Sequence, residues 1–494
     1  MKKFTLMALA LMASAASFAQ TTSWNFENDE IGADGGFWDR CNRTVVENPL
    51  KEGANTSDKC LKFTITGNEW DNGAIATGLS STGLNTKKRL LLTIKKEQAS
   101  NVKVQLDCGN GIFKQVVAYY SEAGKWQQLG FDFSQNGDFD DPTAFTIFAT
   151  TDAVEGSQDV YIDNIMIVDQ PTVNGDVLST LGDNSISGNV KLAGAWMKGT
   201  CMNADGEWSE VNYNDFETFN TKAAATLTSV DMRGTVTKDV DANQFFFKNP
   251  NTLLYADVAY DHANVIAPNA DGNLVAKEVV LNDANDFNAP YGFKAEKTTF
   301  TRNKMQSTYN SFVLPFFVSA FDLNVTKLVT FKDKDIDKVN FETVADNDGV
   351  GSNKPFIAVG RNGDEEKQTF TFEGGHAKEF YATPTKFEGD FKGVYAYQSA
   401  KGKWGINDEG KLQKGGADSH IGAFHAYLEW NDSAEALAFC IDGEATAINA
   451  VNATTAAADG AVYDLSGRRV AASLAAAKLV KGVYVVNGKK FIVK

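Results

Sequence analysis

The chain of 494 residues is long enough for three or four domains, and its 43% hydrophobic and 22% charged residues are the composition of a folded protein. Acidic side chains number 63 against 47 basic ones, and the net charge of −16 argues against nucleic acid or an anionic membrane as the main partner, since both require a basic face. With 34 Phe, 42 Gly and only 9 Pro, many short strands joined by glycine turns are expected.

Residues 1–19 have the pattern of a secretory signal peptide. Lys2 and Lys3 form a basic start, residues 4–16 are apolar, and the Ser-Phe-Ala of residues 17–19 carries small side chains where a signal peptidase cuts. The apolar stretch is shorter than the roughly 20 residues that span a bilayer. We therefore expect cleavage after Ala19 and a secreted or surface-displayed mature chain without a transmembrane segment.

Residues 20–170 show the strict alternation of half-buried strands. Apolar side chains occupy every second position in residues 61–65, 90–94, 104–108 and 129–133, with polar or small residues between them. Five or more such strands without a convincing helix predict a sandwich of two sheets, each with one buried face.

The order of these segments resembles the jelly-roll carbohydrate-binding modules of the galactose-binding-like kind. The matching residues are Trp24-Asn25-Phe26-Glu27, Lys125-Trp126, Phe131-Asp132-Phe133 and Val160-Tyr161-Ile162-Asp163-Asn164-Ile165. The resemblance implies a jelly roll that binds a polysaccharide or another glycan. Members of that family often hold a structural calcium ion between the first and last strands, and Glu27 and Asp163 occupy the corresponding places. Backbone carbonyls or water would complete the six to eight oxygen ligands of calcium. Alternatively, the two carboxylates cap turns.

Sugar recognition by a sandwich requires flat aromatic faces with polar groups beside them. Two tryptophans lie in polar, glycine-rich segments that we interpret as loops, and two adjacent tyrosines must point to opposite faces of any strand that contains them. The predicted ligand-binding residues are Trp38, Trp70, Tyr119, Tyr120, Asp39 and Asn72. Loop tryptophans also cap sandwich cores, which is the alternative for Trp38 and Trp70. Trp24 and Trp126 are expected in the core.

The middle of the chain, residues 171–299 and 300–445, is again β-patterned. Segments 227–232, 253–256 and 279–281 start 26 residues apart, which lies within the range of solenoid repeats. A partial solenoid and an ordinary packed sheet therefore both remain open for residues 171–299. Residues 300–445 are expected to form an antiparallel β-domain, with Leu314-Pro315 at a strand end or bulge.

Residues 446–494 comprise a linker of small polar residues and a basic, β-patterned tail. From residue 459 onward there are 7 Lys or Arg against 2 Asp, and Asn487-Gly488 between apolar runs predicts a hairpin. The segments VYDLSGRRV (462–470) and KGVYVVNGKKFIVK (481–494) resemble the C-terminal sorting domain of type IX secretion cargo. That resemblance implies a small β-sandwich recognised by the type IX secretion machinery. A terminal β-module without a transport role is the alternative.

The sequence contains no Gly-x-Ser-x-Gly, phosphate-binding loop or His-Glu-x-x-His. Its four histidines are expected at the surface or its boundary, and Asp333, Asp335 and Asp337 in solvated turns. Cys41 and Cys60 are the best candidates for a disulfide, while strand parity places Cys108 on a buried face.

The leading hypothesis is a secreted or surface-displayed, non-catalytic glycan-binding protein of all-β architecture. Two alternatives remain open from the sequence. One is a polysaccharide-degrading enzyme with its catalytic unit in residues 171–445, because carboxylate pairs are invisible in sequence. The other is a structural or adhesive surface protein that binds a protein partner.

Overall fold

The computed structural model describes residues 23–28, 36–39, 43–67, 73–77, 82–203, 209–237, 244–335, 338–345, 348–430, 437–447, 462–464, 469–471, 479–486 and 489–493. In these ranges the regular structure comprises forty strands, two α-helices, α1 (Leu84–Lys87) and α2 (Asp215–Lys222), and two short 3-10 helices, Ser134–Asn136 and Leu178–Thr180, which confirms the predicted all-β class. No helix in these ranges is long and apolar enough to cross a membrane. The chain divides into two compact units, residues 1–280 with 288–293, and residues 281–287 with 294–494.

The first unit begins with the predicted jelly-roll sandwich of two antiparallel sheets. One sheet runs in the order β3-β4-β11-β6-β9, with β1 paired to β11; its strands are β1 (Ser23–Trp24), β3 (Arg43–Glu47), β4 (Lys59–Ile65), β6 (Arg89–Lys96), β9 (Gln127–Asp132) and β11 (Gln158–Val168). The other runs in the order β17-β16-β8-β7-β10-β5-β2; its strands are β2 (Gly36–Asp39), β5 (Gly73–Thr77), β7 (Ser100–Asp107), β8 (Phe113–Tyr120), β10 (Ala144–Phe148), β16 (Lys198–Asn203) and β17 (Ser209–Asn214).

The sandwich core lies between these two sheets and contains the alternating residues that the sequence indicated. Leu61, Phe63 and Ile65 of β4 are buried while Lys62 and Thr64 are partly exposed, as the pleat requires. The two core tryptophans are confirmed. Trp24 packs edge-on against Phe145 at a centroid distance of 5.5 Å, and the buried Trp126 donates its Nε1–H to Asn48 Oδ1 over 3.0 Å.

The sandwich is not completed within residues 20–170. Strand β16 pairs with the edge of β8, where Cys201 lies opposite Ala118, and β17 then pairs with β16. Arg89 of β6 also forms a buried ion pair with Asp215 at the start of α2. Residues 198–222 are therefore part of the same folded body as the sandwich.

The first unit also contains a run of four parallel strands. They are β14 (Ile186–Ala193), β18 (Ala223–Asp231), β20 (Leu253–Tyr255) and β21 (Val265–Pro268). Val230 lies opposite Leu254, so the first two of the three 26-residue recurrences are stacked as neighbouring rungs. The third lies in β22 (Leu274–Asn282), which is antiparallel to β21. Only the first two of the three recurrences are therefore neighbouring parallel strands, and a partial solenoid stays a prediction. Short strands accompany it: β12 (Thr172–Val173), β13 (Asp176–Val177), β15 (Ala195–Trp196) and β19 (Val236–Thr237).

The second unit is built mostly from antiparallel sheets. Its largest sheet runs β24-β27-β25-β26-β35-β36, and its strands are β24 (Tyr309–Phe312), β25 (Val325–Lys334), β26 (Lys338–Thr343), β27 (Phe356–Arg361), β35 (Ala438–Ile441) and β36 (Glu444–Ala447). β24 ends just before Leu314-Pro315, as expected, and β26 and β35 are a parallel pair.

Further strands of the second unit, apart from Phe293 at the start of β23, are β23 (Phe293–Arg302), β28 (Gln368–Phe380), β29 (Phe391–Val394), β30 (Gln398–Ser399), β31 (Trp404–Ile406), β32 (Leu412–Lys414), β33 (His420–Ile421) and β34 (His425–Leu428). The tail forms a small sheet in the order β38-β37-β39-β40, with β37 (Val462–Asp464), β38 (Arg469–Ala471), β39 (Gly482–Val486) and β40 (Lys489–Val493). Val486 pairs with Lys489, so the predicted two-residue hairpin is present, although its turn residues lie outside the described ranges.

Candidate functional site

The seven-stranded sheet of the sandwich has one face toward the core and one face away from it. Along β8, Val116, Ala118 and Tyr120 belong to the core cluster. Because successive side chains of a strand alternate, Gln115 and Tyr119 lie on the opposite, outward face.

Tyr119 is the outward member of the tyrosine pair and is 56% exposed. Phe113, six residues earlier in the same strand, is also exposed on this face. Between them, Gln115 Nε2 donates a hydrogen bond of 2.5 Å to Gln105 Oε1 of β7. The open part of this face therefore combines aromatic surface with primary amides.

Tyr120 corrects the sequence-based expectation, because it serves the core and not a ligand. Its side chain is fully buried, and its hydroxyl lies 2.6 Å from the carbonyl oxygen of Glu122 and 2.7 Å from that of Lys125. Burial raises the pKa of this phenol. A side chain enclosed in this way cannot contact a sugar without unfolding the strand end.

Trp38 and Asp39 lie in strand β2 rather than in the loop that we expected. One cross-strand row of backbone partners runs through five strands of the sheet, from β2 to β8. Its members, in order, are Trp38, Ile75, Thr146, Gln105 and Gln115. The backbone of Trp38 thus lies in the same cross-strand row as the amide pair. The other two predicted residues, Trp70 and Asn72, lie outside the described residues.

The middle of the outward face is occupied by a pair that the sequence did not single out. Lys103 Nζ lies 4.3 Å from the centroid of the Phe148 ring, and both side chains are almost fully buried. Burial lowers the pKa of Lys103 to about 8. Strand alternation places Lys103 correctly on the outward face of the sheet. From the sequence alone, however, a lysine on that face is expected to be exposed to solvent, whereas the structure buries it. Along β8, therefore, the exposed outward rings lie near the two ends of the strand, at Phe113 and Tyr119.

A second cluster surrounds Asp163, whose side chain is fully buried in β11. Its Oδ2 accepts hydrogen bonds from Asn55 Nδ2 over 2.8 Å and from Ser57 Oγ over 2.5 Å, while its Oδ1 accepts from the backbone N–H of Asn164 over 2.7 Å. Burial raises the pKa of Asp163, and the negative charge of Glu27 adds to this shift.

Glu27 supplies the second carboxylate of this cluster. Its Oε1 accepts from the backbone N–H groups of Asp58 and Lys59 over 3.0 and 3.3 Å. Phe26 and Asn164, the neighbours of the two carboxylates, both have positive φ, 56° and 48°. Such backbone is costly for a phenylalanine, and it is accompanied by a register shift of β11 between Asp163 and Met166.

The chemistry of this cluster fits calcium. Calcium prefers carboxylate, amide and carbonyl oxygens and accepts irregular geometry. A divalent cation would also compensate the charge of a carboxylate that is buried beside a second one. Within the described ranges no group of three or more His, Cys, Asp or Glu could hold a metal, so the remaining ligands would be amide or backbone oxygens or water.

The cysteines and histidines refine the sequence-based picture. Cys60 is a free, fully buried thiol in the structure, so the expected bond to Cys41 is not formed there; Cys41 lies outside the described residues. Cys108 is a buried free thiol, as predicted. Three histidines are exposed and the half-buried His425 lies at the boundary, as expected, with Nη1 of Arg302 3.3 Å from its Nδ1.

No family model matches this chain, and no curated protein matches it. Among solved structures it is similar to an exo-β-agarase, with 12% identity and a TM-score of 0.23 over 29% of this chain and 24% of the agarase. A carbohydrate-binding module of Caldicellulosiruptor saccharolyticus in complex with mannohexaose matches with 14% identity and a TM-score of 0.23, over 30% of this chain and 97% of the module. The cleaved adhesin domain of Lys-gingipain from Porphyromonas gingivalis matches with 14% identity and a TM-score of 0.21, over 30% of this chain and 97% of that domain.

The match spans about a quarter of the agarase, 24% of its length. Identities and TM-scores this low carry no functional assignment.

Proposed function

We propose that this protein is a secreted or surface-displayed, non-catalytic glycan-binding protein that contacts sugar through the outward face of its seven-stranded sheet. The observation that carries the proposal is Tyr119, a ring that is 56% exposed on β8. The C–H face of a pyranose stacks on such a ring, and the amides of Gln105 and Gln115, two cross-strand rows away on the same face, can exchange hydrogen bonds with the hydroxyl groups of an extended glycan.

Trp38 and Asp39 belong to the proposed contact set because β2 lies at the edge of the same sheet. Trp70 and Asn72 remain in the set on their sequence environment alone. A shallow site of this kind binds with roughly −4 to −8 kcal/mol, which corresponds to millimolar to micromolar affinity. Display of many copies on one surface would raise the effective affinity for a polymer.

The chain would reach that surface through its two ends. Residues 1–19 would direct export, and the C-terminal sheet would be recognised by the type IX secretion machinery. Deletion of residues 446–494 tests this assignment in a host that has that machinery. We expect the truncated protein to accumulate inside the outer membrane while the full chain reaches the outside. Equal surface display of both would contradict the role of the tail.

A structural calcium ion between Glu27 and Asp163 is part of the proposal. The residues that would hold it are the two carboxylates, with oxygens from Asn55 and nearby backbone. The ion would supply positive charge to the buried pair and fix the meeting point of β1 and β11, which are paired at Trp24 and Ile165.

Affinity gel electrophoresis of the full mature chain tests glycan binding. Mixed-linkage β-glucan, mannan, xylan and agarose serve as probes, and Tyr119→Ala and Trp38→Ala are the variants. We expect retardation by at least one polysaccharide and its weakening in both variants. Phe246→Ala is the matched control, because this exposed ring lies outside the sandwich. Unchanged retardation in both variants would refute the proposed face.

A further inference from the structure

A concave surface lies entirely within the second unit. A cleft of about 870 Å³ is formed by the turn after β24, the loop before β27 and the end of β28. Its volume lies in the upper part of the range of small-molecule sites, roughly 300–1,000 Å³. The residues that matter for its chemistry are Phe317, Asp322, Asn353, His376, Lys378 and Tyr381.

Two aromatic side chains of this cleft are half exposed, Phe317 and Tyr381, each at 51%. They are held near each other because the backbone N–H of Tyr381 donates to the carbonyl of Pro315 over 2.9 Å, two residues before Phe317. Phe321, at 82% exposure, lies beside His376 with a ring-centroid distance of 6.4 Å. The cleft therefore has aromatic surface on two of its three segments.

The position of Phe317 depends on a glycine. A Cβ added to Gly349 would lie 2.3 Å from Phe317 Cζ and 2.4 Å from the carbonyl oxygen of Val318. The tip of the ring thus packs directly on the backbone at Gly349, which leaves it little freedom to turn. A ring held in this way loses little entropy when a ligand stacks on it.

Buried polar groups form another part of the cleft. Lys378 Nζ donates to Asp322 Oδ2 over 3.1 Å, and both side chains are less than a tenth exposed, 7% and 8%. Lys378 Nζ also lies 4.4 Å from the centroid of the Phe372 ring, and Asp322 Oδ2 accepts from the backbone N–H of Ser319. This pair is positioned by the fold before any ligand arrives.

Asn353 is positioned in a similar way. Its Oδ1 accepts from the Tyr395 hydroxyl over 2.7 Å, and its Nδ2 donates to the carbonyl of Ala382 over 3.0 Å. The cleft thus combines fixed ring surface with oriented amide, carboxylate and ammonium groups. The charges of Lys378 and Asp322 compensate each other, so this buried pair does not favour an anion over a neutral ligand.

We propose that this cleft is a second glycan-binding site, for a short uncharged segment of a polysaccharide. Aromatic faces with hydrogen-bonding groups between them match the alternating C–H and hydroxyl surfaces of a sugar. A protein partner fits less well, because the buried centres of protein interfaces are depleted of Lys, Asp and Glu, whereas Lys354, Lys378, Asp322 and Glu379 line this cleft. The inference extends the proposed function, on which its ligand class rests, and makes the chain bivalent.

The test uses the full mature chain and the four polysaccharides named above. The cleft variant is Phe317→Ala with Tyr381→Ala, and the sandwich variant is Trp38→Ala with Tyr119→Ala. Both cleft rings are half exposed, so the variant is expected to unfold at a somewhat lower temperature than the wild type and to remain folded in the assay, which a melting curve checks. Tyr397→Ala is the matched control, because this tyrosine of the same unit is 63% exposed and lies outside the cleft.

We expect the cleft variant to lose at least about tenfold in apparent affinity for a polysaccharide, since two linked sites bind a polymer more tightly than one. The sandwich variant should keep weak binding that disappears when both sets are combined. Wild-type affinity of the cleft variant for every polysaccharide would overturn the second site while leaving the proposed function intact. Loss in the cleft variant but not in the sandwich variant would support the cleft and refute the proposed face. Failure of the wild type to bind any of the four would overturn both.

Discussion

Arg89 and Asp215 are 126 residues apart in the chain, yet Arg89 Nη1 donates to Asp215 Oδ2 over 2.7 Å inside the first unit. The same guanidinium donates its Nε–H to Asp132 Oδ2 over 2.9 Å, and Asp215 Oδ2 also accepts from the backbone N–H of Met197 over 2.8 Å. All three charged side chains are less than a tenth exposed, at 4%, 7% and 8%. The two carboxylates raise the pKa of Arg89 despite its burial. One guanidinium thereby joins two strands of the sandwich to helix α2.

Replacing Arg89 by methionine should lower the free energy of unfolding by about 3–5 kcal/mol, because it leaves two buried carboxylates without their cation. Arg89→Lys should recover only part of this loss, since a single ammonium cannot donate to both carboxylates as the planar fork does. Denaturant titration measures both. Lys51→Met, which removes the exposed ion pair with Asp58, should leave the midpoint unchanged. An Arg89→Lys variant as stable as the wild type would show that the fork geometry is unimportant.

Calcium should stabilise the protein through Asp163. A ligand present at about 100 times its Kd and bound only to the native state contributes about 2.7 kcal/mol, so the Tm should rise with calcium and fall after chelation. Asp163→Asn should abolish this response, because the buried negative charge is gone. Asp159→Asn, in the same strand but paired with Lys62 at the surface, should retain it. A calcium response that survives Asp163→Asn would place the ion elsewhere.

His425 should make the second unit sensitive to acid. Burial and the neighbouring charge of Arg302 lower the pKa of His425 to about 3 from an ordinary value of 6.5. The native state therefore favours the neutral ring. The resulting contribution to the free energy of unfolding is fully present above pH 6.5 and is lost as the pH falls toward 3. One such group changes the unfolding free energy by at most about 1.4 kcal/mol per pH unit.

The comparison that isolates this effect is His425→Gln against His262→Gln. The exposed His262 should leave the slope of stability against pH as in the wild type, whereas His425→Gln should make it shallower between pH 6.5 and 3. Denaturant midpoints measured at half-unit steps give the slopes. Identical slopes for all three proteins would contradict the assignment. Carboxylates titrate equally in all three, so the difference between slopes belongs to the histidine.

Replacing two glycines of the first unit by alanine should distinguish the energetic cost of a left-handed backbone from the cost of a steric clash. Gly188 and Gly194 both have positive φ, 65° and 78°, but a Cβ on Gly188 would meet nothing within 4 Å, whereas one on Gly194 would lie 2.1 Å from the carbonyl oxygen of Gln170. Gly188→Ala should cost about 1–2 kcal/mol from its left-handed conformation alone. Gly194→Ala should cost about 1–3 kcal/mol more, because the backbone of Gln170 must move. Equal losses in a denaturant titration would mean that Gln170 yields freely.

The sequence by itself determined the local features of this protein. Side-chain alternation follows from the pleat of a strand, so it identified the buried face of β4, the outward position of one of two adjacent tyrosines and the burial of Cys108. Turn chemistry identified the C-terminal hairpin, since Asn-Gly tolerates positive φ. These features depend on residues that are neighbours in the chain.

Only the tertiary structure decided which distant segments meet. The completion of the sandwich by residues 198–214, the burial of Lys103 and the ion pair of Arg89 with Asp215 each join residues that no local pattern connects. The cleft of the second unit likewise draws its lining from three separate segments. Side-chain alternation and turn preferences depend on a few neighbouring residues. Which strands pair, and which sheet faces become buried, depends on the burial of apolar surface between segments that are distant in the chain. For that reason Tyr119, Glu27 and Asp163 could be named from the chain, whereas the buried Lys103 and the cleft of the second unit could not.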